Sequence, residues 1–159
     1  MKVEIAAAAM AAMRAHAEEG HPEEICGVLF ATPDGQLVRR MTNIQNRLHA
    51  EDPVLHPRDA RTAYLMDSRE LFEATRDGER PGWRIALFYH SHPEHDAYFS
   101  DTDTARALWG EPGADAEPAY PGVAYVVLSV FDRRVRDVKA FAWSQESREF
   151  VEVPLAVGA

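Results

Sequence analysis

Two histidines stand one residue apart at His90 and His92, and a serine and an aspartate follow at Ser100 and Asp103. Residues at i and i+2 on extended backbone point to the same side. His90 and His92 can therefore offer two imidazole nitrogens to one metal ion. Pro93 is predicted to end the strand and turn the chain. Ser100-Asp-Thr-Asp103 has the form of a helix start, with Ser100 at the cap and Asp103 at the third helical position. That places Asp103 in the first turn, facing back toward the strand end. Two histidines and one carboxylate make a three-ligand site with one open position, the arrangement of catalytic zinc. The open position would hold a water whose pKa the metal lowers to about 7.

Such a water needs a base to take its proton and return it to a leaving amine. Glu24, in Pro22-Glu-Glu-Ile-Cys-Gly27 at the head of the first predicted strand, is the candidate. Glu23 points the opposite way on extended backbone, so one of the two faces the metal. Taken singly, Ser100 and Asp103 read equally well as a plain helix cap, and Glu24 as a surface glutamate. Their order and spacing together favour a metal site.

Glu24-Ile-Cys-Gly27 followed by His90-x-His92-x7-Ser100-x2-Asp103 resembles the JAMM (MPN-plus) metalloprotease signature in every fixed position. The likeness runs along the whole chain and is greatest to the small single-domain prokaryotic members. It implies that His90, His92 and Asp103 bind one Zn2+ per chain and that Glu24 is the general base. It implies that Ser100 stabilises the oxyanion. It further implies an α/β (α+β) fold over residues 1–159: one JAMM/MPN-plus domain in a cytidine-deaminase-like three-layer arrangement, a mixed β-sheet flanked by helices. The implied substrate is a ubiquitin-like or sulfur-carrier protein with a Gly-Gly tail, cut at a peptide or isopeptide bond. His95 and Asp96 would border the substrate channel.

Hydropathy and turn residues sketch the elements that must position these groups. A helix is predicted over 3–19, ended by Gly20. A buried strand follows from Ile25 to Ala31, a turn at Pro33-Asp-Gly35, and a returning strand from Leu37 to Ile44. Residues 45–60 read as a loop and Thr62 to Met66 as a short strand. A helix capped by Asp67 or Ser68 runs to about Arg76, with Leu71 and Phe72 on its inner face. Trp83 to Tyr89 reads as a strand, 91–99 as a loop, 101–109 as a helix and 110–122 as a loop. Val123 to Val130 is a nearly unbroken apolar run, the mark of a strand buried on both faces. Val135 to Trp143 and Glu149 to Val153 read as outer strands.

The chain has 159 residues, with 26 acidic against 17 basic side chains and a formal net charge of -9. Nucleic acid would repel that field, so a nucleic-acid partner is disfavoured. No apolar run reaches the roughly 20 residues of a membrane span. The Lys2-led run Ile5 to Met13 has about the length of a signal-peptide core, but it is mostly alanine and Glu4 interrupts its head, so it reads as a helix. Cys26 is the one cysteine, which excludes an internal disulfide and fits a cytoplasmic setting. It also excludes a nucleoside-deaminase site, which needs a Pro-Cys-x-x-Cys stretch. Cys26 reads as a small buried hydrophobe. A non-catalytic scaffold of the same fold remains the other alternative.

Overall fold

The computed structural model of the protein describes residues 1–158. The chain opens with a short strand, β1 (Val3–Ile5), and turns into helix α1 (Ala7–Gly20). Ala9, Met10, Met13, His16 and Ala17 are the buried positions of α1, a spacing that puts them on one helical face. The helix expected over 3–19 is therefore shorter, because Val3 and Ile5 alternate inward as strand residues. Gly20 closes the helix without a left-handed cap. Its value is space: a Cβ there would lie 2.1 Å from Ile25 Cγ2.

Strands β2 (Cys26–Thr32) and β3 (Gly35–Met41) form the expected hairpin. Residues 45–60 are not all loop, since Gln45–Glu51 makes helix α2. The predicted strand over Thr62 to Met66 shrinks to one bridge, Asn43 with Met66. Helix α3 (Ser68–Asp77) is capped by Asp67, whose side chain accepts from the backbone N–H groups of Arg69 and Glu70. Leu71 and Ala74 pack inward, but Phe72 is 68% exposed, contrary to the expected inner face.

Strand β4 (Arg84–Pro93) runs four residues past Tyr89, through both histidines. Pro93 is its last residue and can still pair through its carbonyl. Helix α4 (Asp101–Ala107) follows, then the two-residue strands β5 (Leu108–Trp109) and β6 (Glu117–Pro118), which pair across the segment expected to be loop. Strand β7 (Ala124–Phe131) is buried along nearly its whole length. Strands β8 (Arg134–Ser144) and β9 (Glu149–Val153) form the outer hairpin. Strand β10 (Leu155–Val157) returns to pair in parallel with β1.

The main sheet has the order β3-β2-β4-β7-β8-β9. Its pairs are antiparallel except β4 with β7, so the sheet is mixed. Each face carries its own core. Met10, Met13 and Ala17 of α1 cover Leu29, Leu87, Tyr89, Val126 and Leu128. On the other face, Ala74 of α3 and Ala107 of α4 join Cys26, Val28, Phe30, Phe88 and Tyr125. Helices on both faces of one mixed sheet give the three-layer arrangement.

Candidate metal centre and active site

Side-chain parity in the two central strands places the site. Leu87 and Tyr89 face α1, so Phe88, His90 and His92 face the opposite layer. Across the antiparallel pair, Cys26 stands opposite His90. Continuing that register by two residues sets Glu24 opposite His92. Two bonds extend the ladder beyond the end of β2. Ser91 N donates to Ile25 O at 3.1 Å, and Ile25 N donates to Ser91 Oγ at 2.9 Å.

The Nε2 atoms of His90 and His92 lie 3.2 Å apart, and Asp103 Oδ2 lies 3.1 Å from the first and 3.3 Å from the second. Ligand distances of roughly 2.0–2.2 Å around a tetrahedral zinc give edges of about 3.3–3.6 Å between ligand atoms. The three atoms thus approximate one face of such a tetrahedron. His92 Nδ1 lies 2.9 Å from the Asp96 carbonyl, so Nδ1 carries the hydrogen and Nε2 keeps its lone pair for a metal. The His90 ring is stacked by Tyr64, with centroids 4.4 Å apart.

Asp103 reaches the histidines because of its helix start. Ser100 Oγ accepts from Asp103 N, and Asp103 Oδ2 accepts from Ser100 N, both at 3.0 Å. This capping box uses the same Asp103 oxygen that faces the imidazoles, so the cap and the cluster are one construction. Burial opposes charge on Asp103, but the imidazoles beside it, His90 first and then His92, outweigh burial and hold the carboxyl well below its usual range. Ser100 Oγ is an acceptor within the box, which leaves its own hydrogen free to donate outward.

Glu24 is 6% exposed, and its Oε1 is buried without a hydrogen-bond partner among the described residues. Desolvation, with the Asp103 charge adding to it, pushes its pKa up to about 9. A buried carboxylate stays charged only beside a cation or donor, so the orphaned oxygen fits a positive ion at this point. Glu24, His90 and His92 each bring a ligand atom within 4.8 Å of the others. Asp103 makes the closer contacts, so Asp103 has the better geometry for a direct ligand. The longer reach of Glu24 leaves room for water between it and the histidines. Glu23 is exposed and bonds Asn46 Nδ2 at 2.6 Å, facing away as expected.

Glu24, His92 and Ser100 open into a cleft of about 410 Å³ whose other lining residues are Arg58, Thr62, His95 and Tyr98. His95 thus borders the cleft, while Asp96 enters through its carbonyl on His92. Cys26 is fully buried and far from nucleophilic, its thiol pKa raised chiefly by desolvation.

Several supporting residues have no motif to announce them. Asn43 Nδ2 donates to Glu24 O at 2.9 Å and Ala63 O at 3.2 Å, while its Oδ1 accepts from Gln45 N and Leu65 N. Gln45, 1% exposed, donates to Arg58 O at 2.8 Å and accepts from Arg106 Nη2 at 3.0 Å. Glu24 N donates to Ala60 O at 2.7 Å. These bonds tie the Glu24 segment, the cleft wall and α4 into one frame. The only hint in the sequence is three amide side chains, Asn43, Gln45 and Asn46, in a stretch read as strand end and loop.

The chain is similar to known proteins over most of its length. Residues 6–144 match the family described as prokaryotic homologs of the JAB domain. A desampylase from Haloferax volcanii is 32% identical over 160 residues, covering 98% of this chain and 96% of that protein. A CysO-cysteine peptidase from Mycobacterium tuberculosis is 32% identical over 130 residues, covering 82% of this chain and 75% of that protein. Protein DSY2949 from Desulfitobacterium hafniense, solved in solution, shares the fold with a TM-score of 0.68 and 22% identity, covering 98% of this chain and 92% of that one.

Proposed function

The chain belongs to the prokaryotic homologs of the JAB domain, and on that basis we propose that it is a zinc-dependent metallopeptidase. Its reaction is hydrolysis of a peptide or isopeptide bond after the Gly-Gly tail of a ubiquitin-like or sulfur-carrier protein. Two relatives named as a desampylase and a CysO-cysteine peptidase support that substrate class. The observation that carries the metal is the triangle of His90 Nε2, His92 Nε2 and Asp103 Oδ2, with edges of 3.1 to 3.3 Å.

His90, His92 and Asp103 would hold one Zn2+ per chain. Bound there, zinc supplies Lewis acidity toward a carbonyl and lowers the pKa of water. Glu24 takes the proton of the attacking water and delivers it to the departing amine. A cation held beside it would offset the burial that raises its pKa and keep Glu24 ionised to accept that proton. The hydroxyl of Ser100 donates to the oxyanion as the carbonyl carbon becomes tetrahedral, a type of contact worth roughly 2.7–4 kcal/mol where measured. His92 is kept in register by the Asp96 carbonyl and His90 by Tyr64.

The reading includes no nucleic-acid partner, given the net charge of -9, and no membrane partner. No helix among the described residues is long and apolar enough to cross a membrane. It places the protein in the cytoplasm, where the thiol of Cys26 stays reduced. The test is metal analysis joined to turnover. The purified protein should carry close to one zinc per chain and release product from a Gly-Gly-extended ubiquitin-like protein. His92→Ala should lose the metal and the activity. Full zinc occupancy in that variant would remove the ligand assignment. Zinc without hydrolysis of any such substrate would favour a non-catalytic scaffold.

A further inference from the structure

Arg58 is the one arginine or lysine among the residues lining the cleft. The chain is strongly acidic, and several of its other arginines are already paired. Arg39 pairs with Asp77, Arg40 with Glu19, Arg69 with Glu73 and Arg148 with Glu117. Next to Arg58, Asp59 is taken by Arg61. Arg58 has no carboxylate partner among the described residues. Its guanidinium makes one long contact, Nη1 to Thr62 O at 3.4 Å. The side chain is exposed, yet its backbone is fixed. Its carbonyl is bound by buried Gln45, and Ala60, two residues on, takes the N–H of Glu24. An exposed fork of donors is therefore held at a set place in the same cleft as Glu24 and Ser100.

An arginine so placed, with nothing of its own to bind, suits a carboxylate on the bound substrate. Hydrolysis adds water across the scissile C–N bond: the hydroxyl goes to the carbonyl carbon and a proton goes to the nitrogen. If that nitrogen belongs to a terminal amino acid or a short peptide, the leaving group carries its own free α-carboxylate into the cleft. If it belongs to a lysine ε-amine within a protein, no free carboxylate comes with it. We infer that Arg58 binds the free α-carboxylate of the leaving group, so that this site prefers to remove a C-terminal amino acid or short peptide over an internal isopeptide partner. This inference rests on the hydrolase reading above.

The experiment uses the zinc-loaded protein and one ubiquitin-like domain ending in Gly-Gly-Ala, prepared as the free acid and as the C-terminal amide. A third substrate joins the same Gly-Gly end to the lysine ε-amine of an amidated peptide. A charge-assisted hydrogen-bond pair predicts a kcat/KM at least roughly tenfold higher for the free acid than for the other two. In Arg58→Gln that ratio should fall toward one, through loss on the acid substrate, and Arg58→Lys should retain part of it. Isothermal titration of Glu24→Gln with the free acid and the amide should show the same order of affinity without turnover. Equal turnover of acid and amide by the unaltered protein overturns the inference and leaves the hydrolase reading standing. A uniform fall on all three substrates in Arg58→Gln also overturns it, assigning Arg58 to the charge of Glu24 instead. Cleavage of none of them with zinc bound removes the hydrolase reading, and the inference with it.

Discussion

The side-chain amide of Asn43 donates to the backbone carbonyl of Glu24 at 2.9 Å, while its own carbonyl receives two backbone N–H groups. One residue at the end of the β3 hairpin thus holds the backbone of the proposed base and both sides of the cleft-wall loop. Asn43→Ala would leave these groups unpaired, each at about 1–3 kcal/mol where water cannot replace the bond. The expected result is a lower denaturation midpoint and a reduced kcat at a temperature where the variant is folded. Zinc content should be unchanged, since no proposed ligand is touched.

Glu24→Gln should keep fold and metal and lose nearly all hydrolysis, because an amide cannot accept and return the proton. Glu23→Gln should be close to neutral in activity, because Glu23 faces Asn46. If the two variants exchange behaviours, the strand register proposed for the base is off by one.

The metal-free protein gives a separate readout on Glu24. Its folded pKa of about 9 lies above the ordinary glutamate value of 4.5. Between those values the folded state holds a proton that the unfolded state has released. The Glu24 contribution to stability is therefore full below about pH 4.5 and declines as pH rises toward 9, by on the order of a few kcal/mol. Chemical denaturation of metal-free protein across that range should show the decline, and Glu24→Gln should flatten it.

Ser100→Ala should retain zinc, lose roughly 1 kcal/mol of stability with the helix cap, and turn over more slowly. The two effects separate when kcat is measured well below the unfolding transition. Unchanged kcat there would refute the oxyanion role and leave Ser100 as a cap alone.

Gly27→Ala tests the scaffold on the face away from the chemistry. A Cβ at Gly27 would sit 2.3 Å from the Tyr89 ring, which is fully buried and reaches His16 Nδ1 at 2.7 Å through its hydroxyl. The ring must shift, at a cost of about 1–3 kcal/mol. A drop in melting temperature, with zinc still bound at low temperature, is the expected outcome. An unchanged melting temperature would mean that Tyr89 has another place to go.

Where one short segment contained both the chemistry and its geometry, the sequence was readable. The His90/His92 spacing on a strand and the Ser100–Asp103 cap need only local rules, and the apolar run at β7 announces a strand buried on both faces. Errors arose where tertiary pairing decides. Val3–Ile5 looks helical beside so many alanines, and only β10 makes it a strand. Gln45–Glu51 lacks an apolar stripe, and its place is set by Gln45 bonding across to Arg58 and Arg106. β4 outran its expected end because β7 offers partners as far as Val130, opposite Pro93. Arg58 and Thr62 join the cleft from the loop before α3 and Tyr98 from the loop before α4, which no spacing in the sequence brings together.

The pairing of β1 with β10 joins segments from opposite ends of the described chain. Val3 N donates to Pro154 O at 2.9 Å and Gly158 N to Ile5 O at 2.8 Å. Closing so long a loop costs roughly 4 kcal/mol in chain entropy, a sum the clasp must recover from its burial. Because the two strands run in parallel, a covalent bridge from Val157 back to Val3 must recross their length, about 10 Å, which four or five linker residues span. Such a bridge would permit the chain to be reopened at the exposed Pro33–Gly35 turn, giving a circularly permuted protein with every strand pairing intact. The clasp lies near Arg84 and Leu87 at the start of β4, whereas His90 and His92 stand toward its other end. Permutation or surface tethering at the clasp would leave the mouth of the cleft free.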